Sequence, residues 1–179
     1  MSIKKQAYNG VKWTTVSSII TAISAIVKIS ILTRFLEKSE FGLIAQITFI
    51  LSFCQMFTDL GMSAAILHKK DIKVNELSSL YWLNVFMSLL LFLIIIFITP
   101  YYASFYSEDE LLILLPIMGT TIIFSAIGRQ FKTFYQKELE FKFISLVEIG
   151  AVVVSFISTL ALVLLGFKVY SIVYSTILS

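Results

Sequence analysis

The chain has 179 residues, of which 58% are hydrophobic and 14% charged, with a formal net charge of +3 and a mean hydropathy of +0.92. A soluble domain carries roughly 25% charged residues, so there is too little charge here to clothe a water-facing surface. Seven Gly and two Pro are too few for a loop-rich all-β domain, and the apolar runs are longer and more even than the ~10-residue alternating strands of a membrane barrel. The fold class expected is all-α, a polytopic transmembrane helix bundle.

In chain order, five apolar segments are long enough to cross a bilayer, whose ~30 Å hydrocarbon core needs about 20 helical residues. They run from about 11 to 35, 41 to 67, 77 to 99, 111 to 131 and 143 to 165. A sixth begins near Val169 and has about 11 residues before the last position, too few to span. Residues 1–179 are thus expected to form one transmembrane domain. The first segment starts after Lys4 and Lys5, as a signal peptide would. Its apolar stretch is too long for one, Lys28 interrupts it, and no small-residue cleavage site follows, so it is expected to be retained. Tyr101 to Tyr106, following Pro100, is expected to be a separate short amphipathic element in the interface. Trp13 and Trp82 read as interfacial anchors, His68 as interfacial, and Cys54 as a small packing residue.

Lys and Arg concentrate on the cytoplasmic side of membrane proteins. Ten of them fall on one side of the expected spans: Lys4, Lys5, Lys12, Lys69, Lys70, Lys73, Arg129, Lys132, Lys137 and Lys142. Three fall on the other, Arg34, Lys38 and Lys168, together with the acidic run Glu108–Asp109–Glu110. The N-terminus is therefore expected in the cytoplasm.

A charge within a span is expensive and usually faces a bundle interior or a wet cavity. Lys28, Asp59 and Glu148 are in that position. At three- and four-residue steps Thr14, Ser17, Thr21, Ser24 and Lys28 share one face of the first span. Thr48, Ser52, Gln55, Asp59 and Ser63 do the same on the second, and Glu148, Ser155 and Thr159 on the fifth. Ser and Thr alone also serve helix packing. A stripe that adds Lys28, or Gln55 and Asp59, points to a hydrated cavity. Lys28, Ser24, Thr21, Ser17, Gln55 and Ser52 are thus the substrate-cavity candidates. Lys28 lies nearer the outer half and could attract an anionic group as a point charge; the alternative is that it snorkels or pairs with a carboxylate. Asp59, Glu148 and Arg34 are structural or coupling candidates, Arg34 lying close to the outer surface. Pro116, Gly119 and Gly128 could permit bending of the fourth span.

No glycine-rich phosphate loop, HExxH helix or Gly-x-Ser-x-Gly elbow occurs, and no Cys/His cluster could hold a metal. Catalysis, a cofactor, a metal and a nucleic-acid partner are not expected.

Specific residues resemble a known family. Ile31-Leu32-Thr33-Arg34-Phe35-Leu36-Glu37-Lys38-Ser39-Glu40-Phe41-Gly42 resembles the "L-x-R-x-L-x-x-x-x-F-G" junction of polysaccharide flippases. Asp59-Leu60-Gly61-Met62-Ser63-Ala64-Ala65-Ile66-Leu67 looks like the "D-x-G-x-x-x-A-x-[IL]" close of their second span. Arg129-Gln130-Phe131 with Glu140-Phe141-Lys142-Phe143 resembles the basic joint before the fifth, and Gly10 with Trp13 the N-terminal "G-x-x-W". The family is the Wzx-like polysaccharide transporters of the multidrug/oligosaccharidyl-lipid/polysaccharide exporter superfamily. The resemblance implies two lobes of helices around a central cavity, of which this stretch would be the N-terminal portion, a partial first lobe. It implies translocation of undecaprenyl-diphosphate-linked oligosaccharide across the bacterial cytoplasmic membrane, with membrane lipids, a glycan polymerase and assembly proteins as partners. The other readings are a drug/cation antiporter of the same superfamily and a non-transporting scaffold in glycan assembly.

Overall fold

The computed structural model describes residues 3–58 and 74–178, with side chains placed at 8–58 and 76–178. Among the described residues every regular element is an α-helix: α1 Ile3–Leu32, α2 Lys38–Thr58, α3 Val74–Tyr106, α4 Leu111–Lys137, α5 Phe141–Leu164 and α6 Lys168–Ile177. Five of these are long and apolar enough to cross a membrane, so the chain is a multi-pass membrane protein. Hydrocarbon offers a backbone N–H or C=O no partner, and an uninterrupted helix satisfies each group within itself. Asp59, Ser63, His68, Lys69, Lys70, Lys73 and the whole Asp59–Leu67 motif lie outside the described residues.

Pro100 does not end the third helix. α3 runs through it to Tyr106, so the expectation of a separate interfacial element at Tyr101–Tyr106 is corrected. A proline removes one backbone bond, whereas ending the helix there would strand several groups. The ring pair Tyr102–Tyr106, one helical turn apart with centroids at 4.8 Å, follows from that continuity. Pro116 likewise lies inside α4.

Three helix ends share one device. Ser107, Leu139 and Gly166 take the left-handed conformation at φ 56°, 58° and 84°. At each, the next residue donates its N–H back to the carbonyl five positions earlier: Glu108 to Ala103 at 3.1 Å, Glu140 to Tyr135 at 2.9 Å, and Phe167 to Leu162 at 3.0 Å. This is the Schellman arrangement, which satisfies the orphan carbonyls of a helix end and turns the chain sharply. Glycine adopts the left-handed conformation freely, and Ser107 and Leu139 adopt it at some steric cost.

The chain divides into two compact units, residues 1–37 with 134–179 and residues 38–133. In the first, α5 packs along both α1 and α6. In the second, the buried faces repeat at three- and four-residue steps: Leu43, Ile47, Leu51 and Cys54 on α2, and Asn84, Ser88, Leu91, Ile95 and Thr99 on α3. α3 and α4 meet at Gly119, where an added Cβ would lie 3.2 Å from the Phe92 ring. The Asn84 amide donates to the Ala126 carbonyl at 3.2 Å, and the Gln130 amide to that of Leu77 at 2.8 Å. Arg129 reaches α2 by donating to the Thr58 hydroxyl at 3.2 Å. Gly119 therefore serves close helix approach. Gly119→Leu is expected to destabilise the protein by about 1–3 kcal/mol through overpacking, seen as a lower midpoint of thermal unfolding in detergent. Gly128→Ala, where nothing lies within 4 Å of an added Cβ, is expected to leave the midpoint unchanged or slightly raised.

Candidate functional site

The first unit holds a polar seam between α1 and α5. Gly10 accepts the Phe141 ring, which approaches so closely that an added Cβ would lie 2.6 Å from it. Two turns on, the Ser17 hydroxyl, 1% exposed, donates to the Glu148 carboxylate at 2.9 Å. In both pairs the α5 residue is 131 positions after the α1 residue. The numbers rise together, so the helices run parallel, and the two contacts lie seven residues apart on both helices. The next step of the same register sets Ser24 level with Ser155.

Lys28 completes that step. A helical side chain leans toward the N-terminus of its own helix, so its ammonium reaches back about one turn to the level of Ser24. There Nζ donates to the Ser155 hydroxyl at 2.9 Å and to the Ser175 hydroxyl of α6 at 3.4 Å. Lys28 thus touches both α5 and α6. Its partners are neutral hydroxyls; among the described residues no carboxylate pairs with it.

Beside this ammonium lies a cavity of about 220 Å³, whose polar lining is Thr21, Ser24, Lys28 and Ser155. It has room for several waters or a small anionic group. A larger cavity of about 480 Å³ in the second unit is lined by apolar and aromatic side chains, including Phe49, Phe53, Phe57, Ile95 and Tyr102. It offers no charge to a polar head, so the chemistry points to the smaller one.

Of the sequence candidates, Ser17 and Glu148 meet in one hydrogen bond, and Thr21, Ser24 and Lys28 line one cavity. Thr14 shares their period but is exposed. Ser52 and Gln55 belong to the second unit and are exposed on α2. Arg34 is exposed in the turn that follows α1, and Asp59 is outside the described residues. Ser175 escapes the sequence reading, because α6 is too short to display a stripe. Its fully buried position, four residues after the equally buried Ser171, is the signal it offers.

Residues 31–179 match the family described as polysaccharide biosynthesis protein. The chain belongs to that family. Within this polysaccharide biosynthesis family it is 35% identical over 148 residues to an uncharacterized membrane protein in the cps region of Klebsiella pneumoniae, covering 83% of the chain and 30% of the relative. It is 34% identical over 155 residues to teichuronic acid biosynthesis protein TuaB of Bacillus subtilis, covering 87% and 32%. It is 27% identical over 159 residues to lipopolysaccharide biosynthesis protein WzxC of Escherichia coli, covering 89% and 32%. The chain thus spans about a third of the length of these relatives. No solved structure matches it significantly. Glu148, Ser155 and Ser175 fall within the family match, whereas Lys28 precedes its first residue by three positions.

The Ser17–Glu148 bond can be weighed directly. In a double-mutant cycle, Ser17→Ala and Glu148→Ala are expected to couple by roughly 0.5–1.5 kcal/mol, the range of interhelical hydrogen bonds in membranes. Unfolding of the four proteins in detergent measures it, and strict additivity would mean that the bond contributes nothing.

Proposed function

We propose that this chain is part of a transporter that moves lipid-linked oligosaccharide or polysaccharide precursors across the bacterial cytoplasmic membrane for cell-surface glycan assembly. The observation that carries the reading is a lysine ammonium held among hydroxyls at the edge of a cavity, within a member of a polysaccharide biosynthesis family. Relatives named for teichuronic acid and lipopolysaccharide biosynthesis support the substrate class. The substrate in this reading is undecaprenyl-diphosphate-linked oligosaccharide, and a glycan polymerase and assembly proteins are partners.

A diphosphate head cannot cross ~30 Å of hydrocarbon unassisted. A fixed cation with polar neighbours lowers that barrier. Lys28 is the charge that receives the anionic head, and Thr21, Ser24 and Ser155 are the hydroxyls beside it. Ser17 is assigned to the seam, where it fixes Glu148. Ser52 and Gln55, exposed on α2, are a second polar surface available to a hydrated path. Translocation makes and breaks no covalent bond, so no catalytic residue is assigned. Residues 1–179 act as one transmembrane domain with a cytoplasmic N-terminus, in accord with the excess of Lys and Arg on that side.

Deleting the gene is expected to abolish surface glycan, and wild type to restore it. Lys28→Ala is expected to restore less than about a tenth, at unchanged protein level in the membrane; full restoration would remove Lys28 from the site. For orientation, alkaline phosphatase fused after Asp109 is expected to be active and after Glu138 inactive. The reverse pattern would invert the topology.

A further inference from the structure

The two hydroxyls that hold Lys28 are not equivalent. Ser155 lines the cavity, whereas Ser175 stands on α6 outside its lining. The Ser155 bond is the shorter, 2.9 Å against 3.4 Å. The Ser175 hydroxyl spends its own proton on the Ile172 carbonyl at 2.9 Å. Toward Lys28 both hydroxyls act as acceptors, because an ammonium only donates, and Ser175 does so from outside the cavity that an anion would enter. An ammonium has three donors on one point charge. An anion in the cavity pulls that charge toward the Ser155 side and away from α6.

We propose that Ser155 and Ser175 are positioning residues with opposite effects on one anion site. Ser155 holds the Lys28 ammonium at the cavity, and Ser175 competes with the bound anionic group for it. The ligand chemistry is a phosphate or diphosphate, borne by a lipid or free in water. This inference rests on the assignment of Lys28 as the anion-binding charge.

The test is binding of farnesyl diphosphate to the purified chain in nanodiscs, with farnesol as the uncharged control and inorganic pyrophosphate as the free anion. Wild type is expected to bind farnesyl diphosphate at least ten-fold more tightly than farnesol, and Lys28→Ala to lose that preference. Ser155→Ala is expected to weaken farnesyl diphosphate binding and Ser175→Ala to tighten it. Each change should be roughly two- to ten-fold, the size of one net hydrogen bond. Ser175→Thr, which keeps the hydroxyl, is expected to restore wild-type affinity. Tight pyrophosphate binding with the same pattern of variants would assign the site to a free anion, and its absence to a lipid head. If both alanine variants weaken binding alike, or neither changes it while Lys28→Ala abolishes it, the opposed roles are overturned and the anion site stands. If binding does not depend on Lys28, both fall. Thermal unfolding of each variant in the same nanodiscs distinguishes a lost site from a lost fold.

Discussion

In hydrocarbon, a backbone group left unbonded has nowhere to turn, and the organisation of this chain follows from that constraint. It carries α3 and α4 straight through Pro100 and Pro116. It closes α3, α4 and α5 with carbonyl-satisfying turns even where the residue is Ser107 or Leu139 rather than glycine. It also occupies the hydroxyls. Thr58, Ser88, Thr99, Thr120, Thr121, Thr133, Thr159, Ser171 and Ser175 each donate to a carbonyl one turn back on their own helix. A hydroxyl spent in this way still has its lone pairs. It suits a cation better than an anion, and Ser175 meets Lys28 on those terms.

Charge placement follows the same logic. A cation inside a span can be neutralised by a carboxylate or solvated by dipoles. Pairing would offset its charge and leave little attraction for anything else. Lys28 is solvated by two neutral hydroxyls, which keeps its positive field directed at the neighbouring cavity. Glu148 is engaged by Ser17 some two turns below the Ser155 level of the same seam. Spacing the two charges along the seam lets each keep its own partners.

Much of this was legible in the sequence. Unbroken apolar length marks the long helices, and three- and four-residue spacing marks the face of α1 that carries Ser17, Ser24 and Lys28. What periodicity lacks is a partner. It finds a face on α2 as readily as on α1, yet Ser52 and Gln55 are exposed while Ser17 is buried against α5. The register of 131 residues between α1 and α5 is a long-range fact, set by Phe141 fitting over Gly10, and no local pattern encodes it. Ser175 lies on a helix of ten residues, too short for its stripe to stand out. Pro100 misled because a proline marks a helix boundary in water, where freed groups find solvent, more reliably than in lipid.

The connection between α5 and α6 sets how α6 can move. Leu165, Gly166 and Phe167 join the two helices, and positive φ values at Gly166 and Lys168, 84° and 40°, leave the link folded tight with no slack. A tether this short limits how far α6 can slide, and it makes the glycine the natural fulcrum for any swing of the helix. Ser175 lies about 10 Å along the helix from Lys168, so a swing of about 10° carries it nearly 2 Å. Close to the fulcrum, the Glu37–Lys168 ion pair at 3.5 Å sits almost on the axle and would scarcely feel the same rotation. The geometry is that of a lever, with the ion pair at its pivot and the Lys28 contact out along its arm.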